Sequence, residues 1–119
     1  MKLLLLFTLL LLLGSNLFGA TYGQRMVAAV LVAEAGVDGT EGMTAVAEVI
    51  RNRADAKGIS PLAVVMKPRQ FTPVTRAGSV DNLYFHYSRS KFYKEALRIA
   101  VVTYNTPEKL PGITKGATY

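Results

Sequence analysis

The eight residues from Met26 to Ala33 are all apolar, and this run most constrains the fold of the chain. Thr21 precedes the segment and is a favourable N-cap residue. Gly36 follows it and can end a helix, because glycine accepts the left-handed conformation at little cost. We therefore expect a helix over about 22–35. After Arg25 its only polar residue is Glu34. A helix that is apolar on all sides is buried, so this one is predicted to lie inside the domain.

A second, amphipathic helix is predicted from about Glu41 to Lys57, with Thr40 as its N-cap and Gly58 beyond its end. The intervening segment, 36–42, contains three glycines and is predicted to be a loop. Residues on one helical face are apolar, so this helix is expected to pack on the first, with its charged residues mostly outside the buried face. The apolar positions are Met43, Val46, Ala47, Ile50 and Ala54, and the charged ones are Glu48, Arg51 and Asp55.

The rest of the chain is predicted to add short elements and one further long helix. Pro61–Met66 is expected to form a short helix capped by Ser60, and residues 68–80 a loop. Residues 83–87, LYFHY, fit a strand, an aromatic loop or a helix. A last helix is expected from about Lys91 to Tyr104, capped by Ser90 or Ser88. The predicted fold class is mainly α, a small helical domain.

The N-terminus has the features of an export signal. Lys2 precedes the run Leu3–Leu13, which is apolar apart from Thr8, and small residues follow. Residues 1–20 are therefore predicted to be a signal peptide and 21–119 one domain. We expect export to the periplasm, the cell envelope or the extracellular space, with membrane attachment only through an uncleaved signal. The chain has no cysteine, which excludes disulfides and thiolate chemistry. Without Lys2 the formal charge falls from +6 to +5, which favours anionic partners such as the cell wall; nucleic acid is not expected.

Glu34 is the residue that best fits a chemical role. It lies on the same helical face as Val27, Val30 and Leu31, in the last turn, where the helix dipole is negative. Both apolar neighbours and the dipole raise a carboxyl pKa, which suits a general acid. Two alternatives remain: an exposed glutamate without function, or a structural pair with an arginine of the second helix, Arg51 or Arg53.

Four segments resemble the spore cortex-lytic and cell-wall hydrolase family. AEAGVDGTEGMTAVAEVIRNRA is similar to the family's opening motif, in which Ala-Glu-Ala ends the first helix, an acid and Glu-Gly follow, and an Asn-Arg helix comes next. KPRQFTPV, FYKEALRIA and ITKGATY are similar to later segments, so the resemblance spans about 24–119. The family usually has Arg-Gly-Glu where this chain has Gly-Val-Asp. It also continues past the last motif, so this chain is expected to be either a C-terminally truncated fragment or a domain whose cleft is open on one side. The opening motif falls on Glu34, Asp38, Glu41, Gly42, Ala45, Val46, Ala47, Val49, Asn52 and Arg53.

The resemblance implies an α+β lysozyme-like fold, and a lytic transglycosylase that cleaves the bond between N-acetylmuramic acid and N-acetylglucosamine in peptidoglycan. Simple hydrolysis, with Asp38 or Glu41 activating water, is the other outcome that the sequence leaves open. Glu34 would be its general acid and base, and no cofactor or metal would be needed. Asn52 is expected to hold the glycine-rich loop or to touch substrate, and His86 to be a loop histidine. The alternative function is a non-catalytic cell-wall-binding domain. The residues assigned to substrate are Asp38, Glu41, Gln70, Phe71, which would stack on a sugar or pack in the core, and Tyr119.

Overall fold

The computed structural model describes residues 19–105, with side chains to residue 104, and this part of the chain is built from α-helices. No strand occurs within that range, which confirms the predicted mainly helical class. The predicted signal segment lies outside the described residues except for its last two, as does the motif ending in Tyr119. The elements are α1 (Tyr22–Ala35), a 3₁₀ turn (Gly36–Asp38), α2 (Gly39–Lys57), α3 (Pro61–Met66), α4 (Thr72–Ala77), α5 (Val80–Tyr87) and α6 (Tyr93–Asn105).

Helix α1 is the centre of the structure, as its apolar sequence predicts. Its bounds are those expected, and Thr21 forms a capping box: the Thr21 hydroxyl accepts from the Gln24 amide, and the Gln24 side chain accepts from the Thr21 amide. Every residue from Met26 to Val32 is buried, and α1 packs against each of the other five helices. The fold is therefore organised around one buried helix, which ends at Ala35 and has Glu34 in its last turn.

The prediction of a glycine-rich loop over 36–42, between the first two helices, is wrong. Only the three-residue turn Gly36–Asp38 separates α1 from α2, and α2 begins at Gly39, so Thr40 lies inside its first turn and Asp38 takes the N-cap position. Gly36 has a right-handed φ of −54° and not the left-handed cap conformation. A Cβ at Gly36 would lie 3.1 Å from Phe92, and one at Gly42 would lie 2.5 Å from the Asp38 Cβ. These two glycines permit close packing, and among the three glycines of 36–42 Gly39 is the one with a positive φ, of 74°.

Helix α2 is buried more widely than its pattern suggests. Its apolar face packs inward as predicted, but Glu48 and Arg51 are also buried, at 2% and 6% exposure. The expectation that they lie outside the buried face is wrong, because α2 is covered by α1, α3 and α6 and not by α1 alone. Arg51 Nε lies 3.8 Å from Asp55 Oδ2, one turn along the same helix.

The segments after α2 confirm some expectations and correct others. Helix α3 has the predicted bounds and the predicted Ser60 cap. The predicted loop over 68–80 contains α4, and the helical option is the correct one for 83–87, which lies in α5 with Ser79 as its N-cap. Helix α6 begins two residues later than expected, after Ser90 Oγ accepts from the Phe92 amide. Within residues 19–105, no helix combines the length and apolarity required to cross a membrane.

Candidate functional site

Glu34 lies where two surface cavities meet. Cavity A, of about 400 Å³, is enclosed by the end of α1, by α4 and by α5. Cavity B, of about 470 Å³, is enclosed by the end of α1, the 3₁₀ turn, the end of α5 and residues 89–92. Both cavities are lined by Ala33, Glu34, His86 and Tyr87. The carboxyl group therefore has open space on two sides, with the apolar end of the central helix behind it.

The surroundings of Glu34 favour its neutral form. Its side chain is exposed, yet the protein around it removes part of its hydration, and this desolvation raises the pKa of Glu34 above the ordinary value of 4.5. Among the described residues, no hydrogen bond or ion pair holds its carboxylate. The proposed arginine pairing is not observed: Arg51 lies near Asp55, and Arg53 donates to Gln70. The carboxyl is thus reachable by a ligand and carries a raised pKa.

His86 and Tyr87 form the side of the site opposite α1. His86 was expected in a loop, and that expectation is wrong, because it lies in the last turn of α5, exposed and lining both cavities. Its ring meets the Tyr87 ring edge to face, with centroids 4.7 Å apart. A helical signal was present in the sequence: Ser79 as an N-cap and apolar or aromatic residues at the spacing of Val80, Leu83 and Tyr87.

The other acids of the opening motif, Asp38 and Glu41, do not line the cavities that Glu34 lines. Asp38 and Glu41 are both exposed, and neither lines cavity A or cavity B. Glu41 lies in the first turn of α2, where the helix dipole favours an acid without any further role. Asp38 follows Val37, which is 87% exposed and lines cavity B.

The predicted substrate residues of the segment KPRQFTPV do not line cavity A or cavity B. Gln70 is exposed and accepts a hydrogen bond of 3.0 Å from Arg53 Nη1. Phe71 is 7% exposed and belongs to the core, with the Arg53 guanidinium 5.6 Å from its ring centre, so the core alternative for Phe71 is the one observed. Asn52 is also buried, at 6% exposure. Tyr119 lies outside the described residues.

Three arginines that the sequence did not single out lie beside the site. Arg76 lines cavity A, and Arg89 lines cavity B with its guanidinium 5.0 Å from the Phe85 ring centre. Arg69 and Arg76 line a further cavity, cavity C, of about 370 Å³, together with Thr72 and Thr75. Arg69 has a φ of 64°, a left-handed conformation that costs a non-glycine residue on the order of 1–3 kcal/mol. No sequence pattern marks these positions, because the cavities that they line are formed by the packing of separate elements.

The described residues contain no group of three or more histidine, cysteine, aspartate or glutamate side chains able to hold a metal ion. The polar groups that line cavities A and B are the carboxyl of Glu34, the imidazole of His86, the phenol of Tyr87, the guanidinium groups of Arg76 and Arg89, and the hydroxyl or amide groups of Thr72, Asn82 and Ser90. Comparison of the chain with models of protein families, with curated proteins and with solved structures returned no match.

Proposed function

We propose that the chain is a peptidoglycan-cleaving lytic transglycosylase of lysozyme-like type, in which Glu34 is the general acid and base. The observation that carries the proposal is the position of Glu34 at the junction of cavities A and B, without a described ionic partner. A polymer lying through both cavities would place one linkage beside this carboxyl group. The similarity of four segments to the cell-wall hydrolase family supplies the substrate class.

In the first step, the protonated Glu34 donates its proton to the oxygen that links N-acetylmuramic acid to N-acetylglucosamine. That C–O bond breaks, and the muramic ring develops oxocarbenium character. In the second step, the Glu34 carboxylate removes the proton of the muramic 6-hydroxyl, whose oxygen attacks the anomeric carbon. The product is a 1,6-anhydro sugar, and Glu34 is again protonated. The raised pKa of Glu34 supports this cycle, because a general acid must hold its proton until the substrate arrives.

The arrangement of acids favours transglycosylation over simple hydrolysis. Ordinary glycosidases use two carboxyl groups about 5–10 Å apart, one to protonate the leaving group and one to act as nucleophile or to activate water. Among the described residues, Glu34 is the only acid that lines cavity A or cavity B. A mechanism whose nucleophile belongs to the substrate needs no second carboxylate, so it agrees with this lining. We further propose that the protein acts after export, where peptidoglycan is accessible.

One observation favours the alternative of a cell-wall-binding domain without turnover. The Glu34 side chain is exposed, whereas a general acid is usually held in a drier site than this one. A wall-binding domain would keep the two cavities and their flanking arginines, and it would need no raised pKa at Glu34. The two functions differ in whether the protein releases product from the wall.

The test is digestion of purified sacculi by the full chain and by Glu34→Gln, with mass analysis of the released fragments. We expect fragments with 1,6-anhydro ends from the parent and a loss of at least about 100-fold with Glu34→Gln, because general acid–base catalysis contributes about that much. Glu95→Gln is the matched control, since Glu95 lies on α6 and lines none of cavities A, B and C. It should release product at the parent rate.

Two results would contradict the enzymatic proposal. Release of anhydro ends by Glu34→Gln at the parent rate would remove Glu34 from the chemistry. Retention of the parent protein on sacculi with no released product would establish the binding alternative. Fragments with reducing ends in place of anhydro ends would keep Glu34 as the acid but replace transglycosylation by hydrolysis.

A further inference from the structure

Cavities C, A and B are linked in this order by the residues that line them, and we call this series the row. Cavity C shares Thr72 and Arg76 with cavity A, and cavity A shares Glu34 and its three neighbours with cavity B. The proposed cleavage point therefore does not lie at the end of the row. On the α4 side the row continues past cavity A to Arg69, so an extended ligand has a second place of contact there.

The charged residues that line the row are arginines, with Glu34 as the single acid among the described lining residues. Arg69 and Arg76 line cavity C, Arg76 lines cavity A as well, and Arg89 lines cavity B. Glu34 is the only acid among the described lining residues of all three cavities. In the described part of the chain, neither Arg69 nor Arg76 forms an ion pair or a hydrogen bond through its guanidinium. Two guanidinium groups that share a cavity and lack a protein carboxylate are suited to a carboxylate from a ligand.

The backbone at Arg69 gives a second, independent observation. Its φ of 64° is the only positive φ of a non-glycine residue among residues 19–105. Strained residues of this kind persist where surrounding structure holds them, and they concentrate at binding sites. The next residue, Gln70, is held by the hydrogen bond from Arg53, and Phe71 is buried in the core. The chain on the C-terminal side of Arg69 is thus anchored, and Arg69 itself lines cavity C.

We infer that Arg69 and Arg76 form a subsite for a carboxylate of the substrate, placed one cavity away from the Glu34 cleavage point. The inference rests on the proposed function and deepens it, because it selects glycans that carry carboxylates over neutral ones. In peptidoglycan two groups have this chemistry: the lactyl carboxylate of a muramic acid without a peptide, and the carboxylates of a stem peptide. A neutral N-acetylglucosamine polymer has neither, and it would leave both guanidinium groups without an ionic partner.

The test measures binding of three soluble glycan probes to the full chain that carries Glu34→Gln, which prevents turnover. The probes are peptide-free strands with lactyl carboxylates, strands that retain stem peptides, and peptide-free strands whose carboxylates are amidated. Arg69→Gln and Arg76→Gln are compared with Lys94→Gln, a change of the same charge at an exposed residue of α6 that lines none of the three cavities. Each arginine variant should weaken at least one of the two carboxylate-bearing probes by about tenfold, the usual effect of a charge-assisted hydrogen bond, and leave the amidated probe unchanged.

The probes also separate the two sources of the carboxylate. Weakening with peptide-free strands assigns the subsite to the lactyl group, and weakening confined to peptide-bearing strands assigns it to the stem peptide. Arg69→Gly is the second variant at the strained position, because glycine accepts a φ of 64°. It should lose the same binding while keeping the helical circular dichroism of the parent, so an unfolded Arg69→Gln protein would not decide the result.

Equal binding of all three probes to the arginine variants and to the parent would overturn the subsite, even if sacculi are still cleaved through Glu34. Arginine-dependent binding of carboxylate-bearing strands without any cleavage by the unmodified chain would keep the subsite and reject the transglycosylase. A loss with Lys94→Gln as large as with Arg69→Gln would also overturn the subsite, because general attraction to the basic surface would then explain the binding.

Discussion

At the scale of single residues, Glu34 has a higher pKa in the folded protein than in the unfolded chain. Desolvation is the cause, and no described cation opposes it. The native state therefore holds the Glu34 proton to a higher pH than the unfolded state does. Between the ordinary value of 4.5 and the raised value, the native state binds more protons, so the free energy of unfolding falls as pH rises through that window. Above the window the ionised Glu34 opposes folding.

Because the ionised Glu34 opposes folding, we predict that Glu34→Gln gains stability relative to the parent as pH rises. Glutamine has no charge to desolvate, so the variant should equal the parent below about pH 4 and exceed it slightly near pH 7. The gain is small because solvent reaches the Glu34 side chain. Urea unfolding at both pH values, followed by circular dichroism, measures it.

Glu95→Gln is the control for that measurement, because its effect has the opposite sign. The hydrogen bond from Arg98 lowers the pKa of Glu95, so Glu95 stabilises the protein above its unfolded pKa and loses this contribution as pH falls through the lowered value. Its replacement should therefore reduce stability near pH 7 and have little effect at low pH. A Glu34→Gln variant that behaved in the same way would show that the Glu34 carboxylate has a stabilising partner, contrary to the desolvation account.

The sequence identified Glu34 but not the residues around it. Glu34 stands out because one acid follows an apolar run, and that contrast is local. Arg76 and His86 carry no such mark, since they line the same cavity as Glu34 only through the packing of α4 and α5 on α1. Phe71 illustrates the converse: an aromatic residue after a proline-containing turn fits a sugar platform or a core residue equally well, and only its tertiary surroundings decide.

At the scale of the elements, helices with strong end signals were predicted at their observed bounds. Both α1 and α3 begin after a hydroxyl N-cap, at Thr21 and Ser60. Helix α4 was missed because it has six residues and lies among prolines and glycines, where a loop is the usual outcome. Its proline lies in the first helical turn, where the missing N–H has no consequence. The α1–α2 connection was misjudged because glycines that permit close contact look the same in sequence as glycines that form loops.

A contact between α3 and α6 predicts that removing a single hydroxyl group measurably lowers the free energy of unfolding. Tyr104 OH accepts a 2.7 Å hydrogen bond from the Leu62 amide, in the first turn of α3, which has no partner within the helix. Gly23 of α1 allows this approach, since a Cβ there would lie 2.7 Å from the hydroxyl. Tyr104→Phe leaves the partly buried amide unpaired and should lower the free energy of unfolding by about 1–2 kcal/mol.

Tyr22→Phe is the matched control for Tyr104→Phe. Its hydroxyl donates a 2.7 Å hydrogen bond to Asp81, but this pair is exposed, so water can replace the lost partner. Urea unfolding should show a change within about 0.5 kcal/mol for Tyr22→Phe. Equal losses for the two variants would mean that the bond from the Leu62 amide to Tyr104 does not contribute as a helix cap.

At the scale of the whole molecule, one helix carries both the core and the proposed chemistry. Helix α1 contacts every other described helix, and the same helix presents Glu34 to cavities A and B. The walls of those cavities come from α4, α5 and the 3₁₀ turn, which are short elements with few or no buried side chains of their own. Their positions therefore depend on packing against α1 more than on their own stability. The apolar run that predicted a buried helix thus also sets the geometry of the site.

Leu31→Ala tests this dependence, because Leu31 is fully buried in α1 three residues before Glu34. Removing its side chain leaves a cavity at the centre of the helices and should cost about 2–5 kcal/mol, a large share of the roughly 5–15 kcal/mol that stabilises a domain. Val37→Ala removes apolar atoms from a residue that is 87% exposed, so it should change stability by less than about 0.5 kcal/mol. Urea unfolding of both variants makes the comparison, and the slope of the unfolding free energy against urea concentration should stay that of the parent.

A loss below about 1 kcal/mol for Leu31→Ala would show that α1 is not packed at the centre of the protein, since large-to-small changes in a close-packed core exceed that value. The positions of cavities A and B around Glu34 would then lose their structural basis, because both are defined by elements that rest on this helix.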